Sequence, residues 1–595
     1  MNCTSLLYLG AVLTILAPSC LHGQLHVPEW ARDAVWNQIF PERFRNGDTI
    51  NDPTRADMEF PADRAWHLSP WTSDWYALQP WERTQNTQFY RNVFDRRYGG
   101  DLQGVLNELD YLKNLGISAI YFNPVFEAYS LHKYDASGYH HIDRHFGPNP
   151  AGDLALMGSE TDDPATWHWT SADSLFLRLI QEAHRRGIRV IIDGVFNHCG
   201  TRFFAFQDVV QHQRRSRYAG WFDIQRWDDD RTPPNEFDYK GWWGVKDLPE
   251  FKEDSAGFVP AVKRYFFAIT RRWMDPDGDG NPADGIDGWR LDVPNEVSLV
   301  FWRSWRTLVK SLNPQAYIVG EIWDDAASWL KGDEFDAVMN YPFARACIRF
   351  FIDTDGRHLT PSGFAEELAR IRSTYSDETV DVLQNLLDSH DTDRLASMIM
   401  NPNRRYDDQN GLRNNADYNV AKPTAAARRI QKLMVLLQMT SVGAPMVYYG
   451  DEAGMWGADD PDDRKPMVWP DYTYEPERAH PVSGKSRPAD SVAFDADLFA
   501  WYQKLIAIRN SSEALRRGSF STLMADDGMN VLAFERKTDR DRVVVVLNNS
   551  LTAVTVRLPL EGAWTDAMSG TVTASSGGTL MIELPAKTGW IGRSR

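Results

Sequence analysis

The sequence predicts an α/β protein: a (β/α)8 TIM barrel with a small lobe inserted after its third strand, followed by a C-terminal all-β sandwich domain. Three observations predict it. Short apolar, strand-like runs alternate with helical patterns along most of the chain, as a barrel of parallel strands requires. Eight such runs occur before the alternation ends. Three of them deliver an acidic residue at their end: Asp292 in GWRLDVPNEV, Glu321 in YIVGEIWDD and Asp391 in LLDSHDTDR. Parallel barrels build their active sites from the C-terminal tips of several strands.

The elements follow in order. Residues 34–40 (AVWNQIF) read as the first strand, and a polar, Trp-rich stretch leads to a helical pattern over 102–115. Residues 118–122 form the second strand, 175–186 a helix closed by Gly187, and 190–193 the third strand. From about 199 to 253 the sequence is aromatic, charged and turn-rich, too long for a simple connection, and reads as the inserted lobe. A helix over 258–274 resumes the pattern. Strands follow at 288–292, 317–321, 337–340, 382–388 and 446–449, and a helix at 499–509. Beyond Gly518, runs such as VLAFERK and RVVVVLNN alternate with turns, which makes the last domain all-β. The expected boundaries are 24–198 and 256–515 for the barrel, 199–255 for the lobe and 516–595 for the sandwich.

Bulk properties bound the function. The net charge of −18 argues against a nucleic-acid partner, whose binding depends on basic surface. Residues 6–16 form an apolar run too short to span a bilayer, so residues 1–23 read as an export leader, with no Lys or Arg before the apolar core. Export to the periplasm or medium is expected. Cys20, after small residues, is a candidate for lipid attachment. Cys199 and Cys347 show no metal-ligand spacing and read as core thiols.

Asp193 in IIDGVFNH is a fourth strand-tip acid. Any one of these acids could merely cap a helix or close a turn. Four tips flanked by His198, Arg290 and His390 are hard to explain that way. Converging carboxylates suit glycosidic-bond chemistry, which needs a nucleophile, a proton donor and a stabiliser of an oxocarbenium-like state.

The blocks DGVFNH (193–198), GWRLD (288–292), GEIW (320–323) and SHD (389–391), with HKYDASGY (132–139) and APMVYYGDE (444–452), resemble the α-amylase family, glycoside hydrolase family thirteen. Within it the chain looks most like the neopullulanase and cyclomaltodextrinase group. The resemblance implies Asp292 as nucleophile, Glu321 as acid/base and Asp391 as stabiliser. It implies His198, Arg290 and His390 as cleavage-subsite residues and Tyr139 as the ring stacked beneath the sugar. Trp323, Asp460 and Arg464 resemble outer-subsite residues, and Arg394 is either another of these or the partner of a structural carboxylate. Asn46, Asp48, Asn51 and Asp52 offer hard oxygen ligands of the type calcium takes. They resemble a family calcium site completed by Gly99 and Asp101; the alternative is a solvated polar turn. Asp275–Asn281 has EF-hand-like spacing without the closing Glu, since Ile286 stands there.

The first strand begins soon after the leader, where the group usually carries an extra β-domain that helps form a dimer; a monomer is therefore expected. Pro294, where Ala is usual, and Leu248–Lys252 (LPEFK) also depart from the group. The leading reading is an exported retaining hydrolase of α-1,4 bonds, alone or together with α-1,6 bonds, in starch, pullulan or maltooligosaccharides. A cyclomaltodextrinase or a maltooligosaccharide transglycosylase is the runner-up. A catalytically silent sugar-binding barrel would need all three carboxylates to be ornamental.

Overall fold

Eight short parallel strands, most of them apolar and buried on both faces, form the centre of the computed structural model, which describes residues 27–58, 63–229, 231, 232 and 234–594. The leader and Cys20 lie outside the described residues. The strands are β1 (Trp36–Ile39), β2 (Ala119–Phe122), β3 (Arg189–Gly194), β4 (Gly288–Leu291), β5 (Tyr317–Gly320), β6 (Ala337–Val338), β7 (Gln384–Asn385) and β8 (Ala444–Tyr448). Their order is β6-β5-β4-β3-β2-β1-β8-β7. A parallel bridge between Met339 and Gln384 joins β6 to β7 and closes the barrel. Burial on both faces explains why these strands read as continuous apolar runs rather than alternating ones.

Register decides what stands at the mouth. Arg290 on β4 lies opposite Asp193 on β3 and Val319 on β5, and the next pair along β4–β5 is Leu291 with Gly320. One residue further come Asp292 and Glu321. Strand pairing alone therefore brings two carboxyls to one level above a guanidinium. The outer helices follow an amphipathic rule: Ser171–Arg185 starts at a Thr170/Asp173 capping box and turns Leu175, Phe176, Leu179, Ile180 and Ala183 inward.

The lobe after β3 holds the helix Phe204–His212 and two short strand pairs, Ile224–Arg226 with Asp238–Tyr239 and Glu253–Asp254 with Gly257–Phe258. The bridge His198–Glu250 stitches it to the segment after β3, and Phe222–Phe251 ties the lobe to itself. The Trp-rich stretch after β1 has a core of its own, in which Trp75, Tyr76, Phe89, Val93 and Tyr98 pack with Leu412, Tyr418 and Val420.

The C-terminal domain contains β9 (Ser519–Asp526), β10 (Val531–Lys537), β11 (Arg542–Asn548), β12 (Val554–Leu558), β13 (Ala563–Asp566), β14 (Val572–Ala574), β15 (Leu580–Leu584) and β16 (Thr588–Ser594). One sheet runs β9-β10-β11-β16-β13-β14; the other is the pair β12-β15. Val531, Ala533, Val544 and Val546 face Val556, Leu558, Leu580 and Ile582 across the sandwich. Their alternates Leu532, Phe534, Val543, Val545 and Leu547 join the barrel's core. No helix among the described residues is long and apolar enough to cross a membrane.

Candidate active site

The site is organised around one guanidinium. Arg290 is fully buried, and its Nη1 donates to Asp193 Oδ1 and Oδ2 at 3.0 and 2.9 Å and to Asp292 Oδ1 at 3.2 Å. Its Nη2 lies 2.8 Å from Glu321 Oε2. Glu321 is held from two further sides, by the Val293 backbone N–H at 3.3 Å and the Trp323 indole N–H at 3.1 Å. Val293 takes a left-handed conformation (φ 36°), which is strained for a β-branched residue. Trp323 is fixed in turn by stacking on Tyr341, with ring centroids 3.9 Å apart. It reaches Glu321 directly, closer to the reacting groups than an outer-subsite role implies.

Asp391 is the most open of the three acids. His390 Nε2 lies 3.3 Å from it, and Arg464 Nη2 lies 3.5 Å from it. Arg464 also donates to the His390 carbonyl through Nε and Nη2 at 2.8 and 2.6 Å, and its Nη1 lies 3.1 Å from Asp460. Arg464 and Asp460 thus brace the His390–Asp391 loop from behind. Arg394 belongs elsewhere: it bonds Asp451 and the carbonyls of Tyr449 and Asp463.

The structure corrects the stacking aromatic. Tyr139 has no exposed face; its ring sits among Phe126, Phe203, Phe251 and Phe266, and its hydroxyl donates to the His198 carbonyl. Tyr134 stands in the pocket instead. It is half-buried, stacks 5.5 Å from His390 at 8°, and its hydroxyl donates to Asp193 at 3.1 Å. Both tyrosines lie in the same quoted block, but Tyr139 falls within the strand Ala136–Ile142 and Tyr134 in the loop before it. Loop position was the available signal, since barrels carry function on loops. Three further polar residues escaped the sequence reading. Tyr121 donates to Asp193 at 2.7 Å, while Gln38 contacts His390 Nδ1 at 2.8 Å and donates to Asn123 at 3.0 Å.

Burial sets the electrostatics. It pushes Asp292 well above the usual carboxylate range, helped by the facing Glu321 and opposed by Arg290. Burial and Glu321 raise Asp391 as well, against Arg464 and Arg290. Asp193 is raised to about 6, again by burial against Arg290. Carboxyls this close titrate as a group rather than one by one. The histidines go the other way. Burial, then Arg464 and Arg290, hold His390 well below its ordinary value, and burial with the neighbouring His132 lowers His198 to about 3. Both are neutral imidazoles, able to exchange hydrogen bonds with hydroxyl groups. His198 Nε2 is buried without a hydrogen-bond partner among the described residues.

A cleft of about 570 Å³ runs from His132 and Tyr129 between the Trp-rich stretch, with Phe94, and the lobe, with Val245 and Leu248. On the lobe, His198 stacks on Trp242 at 5.4 Å and Trp242 on Trp243 at 5.1 Å. Trp243 is 78% exposed. An aromatic ladder therefore climbs from the pocket to solvent.

The first cation loop has buried acceptors without partners, the Oδ1 atoms of Asn46 and Asn51. Beside them burial raises Asp52 to about 6, although Asn46 donates to it at 2.6 Å. A Cβ on Gly99 (φ 74°) would come 2.1 Å from Asp52 Oδ1, so the backbone there must be glycine. Asp101 has another use. It caps the following helix at Gly104 N, and its oxygens also accept from the Gly47 and Asp48 amides and the Asn51 side chain. Asp48 accepts from the Ile50 amide. In the second loop Asp275 and Asp277 are joined by Asp284, with ligand atoms within 4.8 Å of one another.

A family model, "Alpha amylase, catalytic domain", matches residues 38–161 and 169–518, and a second, "Maltogenic Amylase, C-terminal domain", matches 520–590. Neopullulanase 2 of Thermoactinomyces vulgaris is 38% identical over 573 residues, which cover 95% of this chain and 79% of that protein. A cyclomaltodextrinase of Geobacillus thermopakistaniensis (strain MAS1) is 36% identical over 561 residues, 94% of this chain and 76% of that one. The solved structure of a cyclomaltodextrinase superposes with a TM-score of 0.70 at 33% identity, covering 96% of this chain and 79% of that chain. The chain belongs to the α-amylase family of glycoside hydrolases and is an α-glucan hydrolase.

Proposed function

We propose that the enzyme cleaves α-1,4-linked glucans with retention, by double displacement, and that Asp292, Glu321 and Asp391 carry the reaction. The observation that supports this most is the Arg290 guanidinium touching both Asp292 and Glu321 at the base of the pocket. Asp292 attacks the anomeric carbon while the proton held by the Asp292–Glu321 pair passes from Glu321 to the leaving oxygen. The resulting glycosyl ester is opened by water that Glu321 deprotonates, which restores the starting state. Asp391 stabilises the positive charge developing at the ring. His198 and His390, both neutral, bind its hydroxyls, and Tyr134 stacks beneath it.

The substrate reading is an α-glucan oligosaccharide or polysaccharide lying along the cleft, with Trp242 and Trp243 supporting sugar units beyond the pocket. Product analysis on pullulan, starch and β-cyclodextrin tests it. Panose from pullulan supports neopullulanase-type action, preferred opening of the cyclodextrin supports a cyclomaltodextrinase, and cleavage of starch alone supports a plain α-amylase. No release of reducing sugar from any of the three would overturn the reading.

We also propose that calcium is held by Asn46, Asp48, Asn51, Asp52, Asp101 and the Gly99 backbone; the unpartnered buried oxygens of Asn46 and Asn51 support this. The ion would supply charge to neutralise Asp52 and tie the loop after β1 to residue 99. A melting temperature that does not change on chelation would count against it. Export through the 1–23 leader is part of the same proposal, and amino-terminal sequencing of the secreted protein tests it.

A further inference from the structure

A second cluster of ligand-type side chains lies outside the catalytic site, on the hairpin formed by Phe126–Ala128 and Ala136–Ile142. Pairing there is irregular. Phe126 lies opposite Ile142, but the next residue, Glu127, lies opposite Gly138, so Tyr139, His140 and His141 bulge from the ladder. Neighbours on a regular strand point to opposite faces. Here both imidazoles turn to the same carboxylate oxygen: His140 Nε2 lies 3.0 Å from Glu160 Oε2, and His141 Nε2 contacts it more closely. Bulges that re-aim side chains in this way are enriched at functional positions.

The rings are also held from behind. His140 Nδ1 contacts the Tyr265 hydroxyl at 2.9 Å, and His141 Nδ1 contacts Asp173 Oδ2 at 2.8 Å. A hydroxyl or carboxylate on the outer ring nitrogen is the arrangement that fixes tautomer and orientation in metal-binding histidines. From the solvent side His168 Nδ1 approaches Glu160 Oε1 at 2.9 Å, and its side chain is 54% exposed, which gives an access path. The ligand atoms of His140, His141 and Glu160 all lie within 4.8 Å of one another. Trp167 stacks on His140 at 4.6 Å, while Arg272 pairs with Asp173 at 3.0 Å and bonds the His168 carbonyl.

We propose that His140, His141 and Glu160, with His168 as the fourth ligand, form a site for a divalent first-row transition ion, zinc by its nitrogen-rich donor set. Closed structural zinc sites take four protein donors, and His nitrogen and Glu oxygen are both zinc ligands. The ion would replace the hydrogen bonds between the rings and Glu160, and its uptake would release protons. It would fasten the segment that follows the helix Pro150–Met157 to the bulge. Tyr139, on that bulge, holds the His198 carbonyl, so the fastening reaches the catalytic pocket through one side chain.

The test uses the full chain, stripped with a strong chelator and titrated with zinc chloride in excess calcium, so that the oxygen-lined loops are filled. One equivalent of zinc should bind, raise the melting temperature and show a first shell of nitrogen and oxygen only by X-ray absorption. Glu160→Gln and His141→Asn should abolish that uptake. His168→Ala, at an exposed position, should keep the melting temperature of the stripped protein and weaken zinc binding by about tenfold or more, since losing even an outer partner of a ligand costs about 10–100-fold. Absence of stoichiometric uptake by the wild-type chain would overturn the proposal. So would uptake that persists unchanged in all three variants, which would leave the cluster as a hydrogen-bonded ion network.

Discussion

The barrel mouth and the lobe rim are built with opposite physics. At the mouth, Asp193, Asp292 and Glu321 surround one buried arginine, and every charge is held by a named donor. At the rim, Trp243 stands in solvent, stacked on Trp242. The first region is fixed by strand register and cannot move without disturbing the sheet. The second is a surface on a lobe whose strand pairs are two or three residues long. In the proposed function, reaction chemistry belongs to the barrel mouth and choice among glucans to the rim.

Substitutions should separate the two regions by size of effect. Asp292→Asn removes the nucleophile, and we expect kcat to fall by about 10⁴-fold or more, since losing one member of a concerted group is that costly; reducing-sugar release measures it. Arg290→Gln should lower kcat/KM by about 10²–10³-fold, the range found when one preorganised charge stabiliser is lost. It should also leave a signature in pH. Arg290 holds Asp292 down against burial, so without it Asp292 rises further, and the acid limb of the kcat/KM profile moves to higher pH. A limb that stays in place or moves down would break the assigned role.

The two tyrosines sharpen the comparison because they differ in kind. Tyr134→Ala should cut kcat/KM by about tenfold or more through loss of ring stacking and of the hydrogen bond to Asp193, with little change in melting temperature. Tyr139→Ala should instead destabilise the fold by about 3–5 kcal/mol, as large-to-small changes of buried aromatics do. Denaturant unfolding beside kinetics on both variants checks the contrast. The smallest effect is expected at the rim. Trp243→Ala should raise KM for long maltooligosaccharides by about threefold to tenfold, the equivalent of about 0.5–1.5 kcal/mol for one aromatic contact. Maltotriose kinetics should be unchanged.

What was legible in the sequence follows the same division. The eight strands could be read because burial on both faces writes an apolar run, and Asp292, Glu321 and Asp391 because a charge at the end of such a run stands out. Tyr139 was misplaced because residue type within a block does not say which way a side chain points. That is set by the strand and its bulge. The Trp242–Trp243 ladder was hidden among 23 tryptophans, most of which are packed inside. The convergence of His140 and His141 on Glu160 depends on a register shift that no periodicity in the sequence announces.

The sheet β9-β10-β11-β16-β13-β14 has a consequence for the molecule as a whole. Its β11 strand sends Val544 and Val546 into the sandwich and Val543, Val545 and Leu547 into the barrel's core. A single strand is thus common property of two hydrophobic interiors. Neither can melt without opening a face of the other, so heat or denaturant should meet one cooperative transition rather than two. The C-terminal domain is then less an appendage than a wall shared by adjoining rooms.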